Sequence, residues 1–275
     1  YQILCRKIIE RNWFPSVFRA GFQAERPDSH WFLEQWIPFD YANQAVSGNE
    51  TDQPDLSNGR YGDWRSSPKD WSIYHPSHDN YQVPGNSKRW IARCLNMEAR
   101  LREITQGDVD QAFSRANKEK STLMSFTNHD FRDMSGEIDK VFQMIKSSSI
   151  KYPEVNYKFT DCITAFREVL ELKKTSPGLK VSLEGKEHTS LLKVTSEGTL
   201  FGVQPFLAIK TKEGKFYWEN FDFYDENVWT FTFDSEHASL DLVDQIGIAG
   251  NSPYGKTEII KIIPNKDEII SYELN

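Results

Sequence analysis

The chain has 275 residues, enough for one large domain or two ordinary ones with a sizeable core. Its formal net charge of -7 and pI near 5.5 leave no basic face to neutralise phosphates, which argues against a nucleic-acid partner. It has no apolar run of the roughly 18 residues that cross a bilayer and no visible signal peptide, so the expectation is a cytoplasmic chain without a membrane span.

Three widely spaced cysteines, Cys5, Cys94 and Cys162, read as buried thiols of a reducing compartment. Aromatic residues make up 13% of the chain and include eight tryptophans, which suits either core packing or stacking against sugar rings. The chain opens at Tyr1 directly inside a helical pattern, with Ile3, Leu4, Ile8 and Ile9 at helical spacing and no capping residue before them. It is therefore read as a fragment.

Pro15–Gly21 reads as a short strand ending in a polar turn. Trp31–Trp36 reads as a helix started by Pro27-Asp28-Ser29, and Ile37–Asn43 as another brief strand. Residues 44–70 are loop-like, rich in Asn, Asp, Gly, Ser and Pro, and a loop that long is commonly functional or disordered. Trp71–Asp79 is a third strand-to-loop junction. Arg89–Asn96 is a fourth strand, with helix from about Met97 to Lys118. A fifth strand, Leu123–Phe126, precedes a helix from Gly136 to about Lys146; Tyr157–Thr160 is a sixth strand and Asp161–Leu172 a last helix.

Such alternation predicts an α/β fold with a parallel sheet. Arg19, Asp40, His75 and His129 all follow strands, and would converge at one mouth if the sheet curls as a barrel. Beyond the turn-rich linker 173–178, alternating strands at Leu191–Thr195, Phe206–Lys210, Lys215–Trp218, Val228–Phe233 and Glu258–Ile263 suggest a β-sandwich. The expected domains are thus 1–172, an incomplete (β/α) barrel, and 173–275, an all-β accessory domain. Gly247-Ile-Ala-Gly250-Asn-Ser-Pro-Tyr-Gly255 lacks the Gly-Lys-Ser/Thr ending and following helix of a phosphate loop, so that reading is rejected.

The chemically densest stretch is Thr122–Asp133, where a strand-type run stops at Asn128, His129, Asp130, Arg132 and Asp133. A histidine there can move protons, with an adjacent carboxylate or amide fixing its tautomer; the plainer alternative is a helix cap using Asp133 and Ser135. Arg19 can orient a carboxylate or make a salt bridge. Asp40 can meet substrate hydroxyls or cap a turn. His75 and His78 are spaced for metal only if their loop curls, and with Tyr74 they fit better a substrate-binding loop or a hydrogen-bonded structural one. His30, His188 and His237 read as surface or structural.

Phe18-Arg19-Ala-Gly21, Ser125-Phe-Thr-Asn-His129 and Tyr74-His-Pro-Ser-His-Asp-Asn-Tyr81 together resemble the NodB-type polysaccharide deacetylase superfamily, carbohydrate esterase family 4, in its variant from surface-polysaccharide and O-antigen clusters. The resemblance covers roughly residues 1–172. It implies a barrel of deacetylase type and hydrolysis of an N-acetyl or related acyl group on a polysaccharide, a sugar nucleotide or a lipid-linked sugar. It also implies a divalent metal, zinc above all, with Arg19 orienting the catalytic base and His129 as general acid. Asp130, Arg132 and Asp133 join Asp40, Tyr74, His75 and His78 as candidate substrate contacts. The family's Asp-Asp and His-x-x-x-His motifs, which supply base and metal ligands ahead of the arginine, do not occur in these residues. The expectation is amino-terminal truncation, with no metal held and no activity in this chain alone. Two rival classes are a carbohydrate-binding protein without chemistry and a glycoside hydrolase, which needs two carboxylates about 5–10 Å apart.

Overall fold

A computed structural model describes residues 1–46, 62–98, 103–129, 131–186 and 189–275. Much of the 44–70 loop, Asp130 and His188 lie outside the described residues. The chain divides into two units, residues 1–16, 35–38 and 173–275 in one, and 17–34 and 39–172 in the other. The division at 172/173 is the expected one, but residues 1–16 and 35–38, expected in the first domain, belong with the carboxyl-terminal strands. Among the described residues no helix is long and apolar enough to cross a membrane.

The second unit contains a curled, half-barrel parallel sheet in the order β1 (Val17–Phe18), β2 (Phe39–Asn43), β3 (Trp90–Asn96), β4 (Ser125–Thr127). Register follows from Phe18 opposite Asp40, Asp40 opposite Ile91, and Cys94 opposite Ser125. All five residues of β2 are buried, as expected of a parallel strand covered on both faces. One face packs Leu95, Val109, Phe113, Val141 and Ile145 from the sheet and from α3 (Gln106–Glu119) and α4 (Ser135–Lys151). The other packs Phe39, Tyr41, Ala92 and Cys94 under Phe166 of α5 (Cys162–Val169), with Phe39 and Phe166 stacked at 4.5 Å. Helix α3 starts in a capping box in which the Thr105 side chain and Asp108 satisfy each other's backbone N–H, and Asp161 caps α5.

Two expected strands are not formed. At 71–79 only isolated bridges occur, Tyr74 with Ile91 and Pro76 with Pro84, because the prolines withhold donors and Trp71 takes a left-handed φ of 64°. Tyr157–Thr160 is irregular, and β4 has no strand partner beyond β3 among the described residues.

The first unit is a sandwich of antiparallel sheets. One has the order β5 (Leu179–Lys186), β6 (Thr189–Ser196), β10 (Val228–Phe233), β9 (Asp222–Asp225). The other has the order β13 (Glu268–Leu274), β12 (Thr257–Ile263), β11 (Val243–Asn251), β7 (Phe206–Thr211), β8 (Phe216–Glu219). Leu192, Val194, Trp229, Phe231 and Phe233 of one sheet meet Leu207, Ile209, Ile246, Ile248, Ile260 and Ile262 of the other in a single core. The helix α1 (Gln2–Arg11) lays Cys5, Ile8 and Ile9 on the second sheet, and Gly247 in β11 makes room for it: a Cβ there would lie 2.7 Å from Ile8. Gly247 and Gly250 sit within β11, and Gly255 turns at φ 77°, so this glycine run is sheet and hairpin.

Buried Asn251 ties this unit together. Its Nδ2 donates to the carbonyls of Pro15 (2.7 Å) and Trp36 (2.8 Å), and its Oδ1 accepts from Thr257 Oγ1 (2.5 Å). Asn251→Ala removes three hydrogen bonds and leaves two buried carbonyls unmet, a loss of about 2–4 kcal/mol in stability by urea denaturation. A loss below about 1 kcal/mol would show that water replaces the amide.

Candidate functional site

Since β1 to β4 run parallel, their carboxyl ends lie along one rim, and the residues leaving them are Arg19, Gln44, Met97 and Asn128-His129. Laid flat, the outer two strands are separated by roughly 14 Å, three interstrand spacings, and curling shortens that span. The rim therefore carries both Arg19 and His129.

Arg19 is half-buried and opens a tight turn over Gly21–Gln23 in which two consecutive non-glycine residues, Phe22 (φ 55°) and Gln23 (φ 48°), take left-handed backbone. Such conformations cost about 1 kcal/mol or more each and cluster at binding sites. With the Gln23 amide oriented to suit its neighbours, its oxygen accepts from Arg19 Nη2, from Arg19 Nε (3.2 Å) and from Gln44 Nε2 (3.2 Å), while its nitrogen donates to Gln44 Oε1 (2.9 Å). The guanidinium is thus held by an amide ladder, and among the described residues no carboxylate pairs with it. Arg19 also faces Cys94, whose thiol burial pushes up to about 11 against smaller opposing effects of Ser125 and Arg19. Cys94 and Cys5 are buried; Cys162, expected to be buried, is exposed.

His129 is exposed and stacked on Phe131 at 5.2 Å. Its backbone N–H donates to Asn128 Oδ1 (2.9 Å), which also accepts from Arg132 Nη2 (3.3 Å). Arg132 pairs with Glu137 at 2.9 Å. Asp133 accepts from Ser135 N (3.0 Å) and Oγ (2.7 Å) at the start of α4, and these donors hold its carboxyl below the usual range. Asp133 thus serves as the plainer helix-start reading has it. Asp130, flanked by these residues in sequence, lies outside the described residues.

The other candidates have partners of their own, and the burial of Asp40 and Tyr74 corrects their expected role as substrate contacts. Asp40 is fully buried, with Oδ1 accepting from Ala42 N (2.7 Å) and Oδ2 3.5 Å from Arg89 Nη1. Tyr74 is buried and donates to the Tyr81 carbonyl (2.9 Å). The His75 ring meets the Arg89 carbonyl through Nδ1 (3.0 Å) and lies 3.5 Å from the Trp90 ring. His78 is exposed, with Nδ1 2.7 Å from Asp79 and its ring against Trp31.

Among the described residues no three His, Cys, Asp or Glu side chains gather in a metal-holding group. The His75 and His78 rings have the separate partners just named. Among the described residues, then, no donor set fits a divalent metal.

Sequence reasoning missed the Glu25, His30, Asp40 and Arg89 cluster. All four are buried, and His30, expected on the surface or in a plain structural role, contacts Arg89 (2.9 Å) and the Ser77 carbonyl (3.0 Å). It also missed Gln23 and Gln44, since neutral amides carry no motif.

Beside the open edge of β4 runs a cleft of about 820 Å³. Leu123–Phe126 form one side, and Phe113, Tyr157 and Phe159 form an aromatic wall in which successive rings meet edge to face at 6.1 and 6.0 Å. Thr122 Oγ1, which lines it, has no hydrogen-bond partner. Comparison with family models, curated proteins and solved structures returned no match to this chain.

Proposed function

We propose that this chain belongs to a carbohydrate-acting hydrolase of the deacetylase type, with Arg19 and His129 flanking the reacting acyl group. The observation that carries the reading is the common rim: both residues leave the carboxyl ends of strands in one parallel sheet, where side chains of βα architectures meet their substrates. Arg19 supplies a fixed positive charge that orients a carboxylate base. His129 hands a proton to the amine nitrogen as the acyl C–N bond breaks and water's oxygen joins the carbonyl carbon.

The cleft supports a sugar substrate, because Tyr157 and Phe159 offer half-exposed ring faces beside neutral hydroxyl and amide groups. A glycoside hydrolase is less well supported, since Asp40 is sealed against Arg89 and Asp133 is engaged at a helix start.

The test is acetate release from N-acetylated oligosaccharides by the full product of the native gene. Release matched by new free amine is expected; cleavage between sugars without acetate would overturn the reading. In the same assay Tyr157→Ala with Phe159→Ala should raise KM roughly threefold to tenfold and leave kcat in place, the scale of aromatic stacking. An unchanged KM would remove the cleft from the substrate path.

A further inference from the structure

The cluster missed by sequence reasoning sets two fully buried carboxyl groups, Glu25 and Asp40, against one fully buried guanidinium, Arg89. Glu25 Oε1 accepts from Arg89 Nη2 at 2.6 Å, and Asp40 Oδ2 is 3.5 Å from Arg89 Nη1. The packed elements bring four other titratable groups to the cluster. From α2 (Pro27–Trp36) come His30 and Glu34; from the loop ahead of β3 come Tyr74 and Tyr81. His78 acts on it only through His30.

Glu34 is spent on backbone, accepting from the N–H groups of Lys88 (2.8 Å) and Arg89 (3.2 Å), with its carboxylate 3.7 Å from Arg89 Nε. His30 accepts from Arg89 at Nδ1, so its proton sits on Nε2, facing the Ser77 carbonyl, and the ring is neutral. The tyrosine hydroxyls are neutral, Tyr81 being pushed by burial up to about 12. Among the described residues, one cation thus faces two buried carboxyls.

We infer that Glu25 and Asp40 together hold one proton in the folded protein, and that this proton is a structural ligand fastening the Arg19–Glu25 turn and α2 to strands β2 and β3. Among the described residues Glu25 Oε2 and Asp40 Oδ2 are both buried with no hydrogen-bond partner, yet the two carboxyls lie within side-chain hydrogen-bonding reach of each other. A proton on Glu25 Oε2 lets it donate to Asp40 and satisfies both oxygens, leaving Asp40 ionised beside Arg89. Burial, then the Asp40 charge, raises Glu25 to about 9, and burial raises Asp40 as well.

The consequence is a pH dependence of unusual sign. The folded protein keeps a proton that the unfolded chain releases above 4.5, so this pair lowers stability as pH rises towards 9. Neutral His30, lowered by burial and Arg89 to about 4 from 6.5, acts oppositely, since there the unfolded chain binds the extra proton. The two cancel between 4.5 and 6.5; above 6.5 only the carboxyl pair remains.

The experiment is the unfolding equilibrium measured by urea from pH 6.5 to 9, with infrared spectra of the folded protein at pH 7. The unfolding constant should rise about tenfold per pH unit, the slope of one proton, over a wild-type background set by the surface. Glu25→Gln, which mimics the protonated acid, should lose that slope, and Glu34→Gln should keep it. The infrared spectrum should contain a protonated-carboxyl carbonyl band that is lost in both Glu25→Gln and Asp40→Asn. Absence of that band in the wild type, or an undiminished slope in folded Glu25→Gln, would overturn the inference.

Discussion

Arg89→Met is expected to lower folding stability by about 3–5 kcal/mol, seen as a fall in urea midpoint at unchanged m-value. The guanidinium is fully buried and sits between Glu25 (2.6 Å), Asp40 (3.5 Å) and His30 (2.9 Å). Removing it leaves a buried carboxylate without a counter-charge, and desolvating such a group costs several kcal/mol. The loss should be smaller at pH 5 than at pH 8, because acid lets both carboxyls become neutral. The triple variant Arg89→Met, Glu25→Met, Asp40→Leu should recover most of the loss, since apolar groups of similar volume carry no desolvation penalty. A loss under about 1 kcal/mol for Arg89→Met alone would mean that water reaches the cluster.

His129→Ala should reduce kcat for acyl release by about 100-fold or more in the full gene product, the usual size of a proton-transfer contribution. KM should change little, because in the proposed reaction the exposed imidazole, stacked on Phe131, serves the leaving nitrogen and does not hold the sugar. Stability should be nearly unaffected for the same reason, and thermal unfolding of the variant checks that. An unchanged kcat would remove His129 from the chemistry.

Much of the architecture was legible in the residues. The alternation of strand and helix patterns before residue 173, and of strands after it, corresponds to the parallel and antiparallel sheets observed. Asp161 ahead of an apolar helix and the linker at 173–178 marked real boundaries. Helical spacing of Ile3, Leu4, Ile8 and Ile9 located α1, but periodicity could not say which face is covered; Ile3 is 76% exposed while Cys5 is sealed. Tyr157-Lys-Phe-Thr160 alternates like a strand, yet a four-residue run has no sheet without a neighbour, and none pairs with it among the described residues. The assignment of α1 to the carboxyl-terminal unit was hidden because it depends on contacts more than 190 residues away along the chain, such as Ile8 against Gly247.

The rim position of Arg19 and His129 was readable, because a strand end followed by polar residues is a local signal. The Arg89 cluster was not. Its members stand at 25, 30, 40 and 89, each compatible alone with an ordinary surface charge, and only the folded chain brings them into one dry pocket. Asp40 shows the same limit: a strand aspartate reads alike whether it faces a substrate or a buried arginine.

The most direct measurement is a double-mutant cycle on kcat/KM for N-acetylated oligosaccharide, with Arg19→Met, His129→Ala and the pair, in the full gene product. If the two residues serve one reaction at one rim, the double variant should be little worse than the poorer single variant, because groups that act as a unit do not add. Effects that multiply, or an Arg19→Met variant with wild-type turnover, would contradict a shared site.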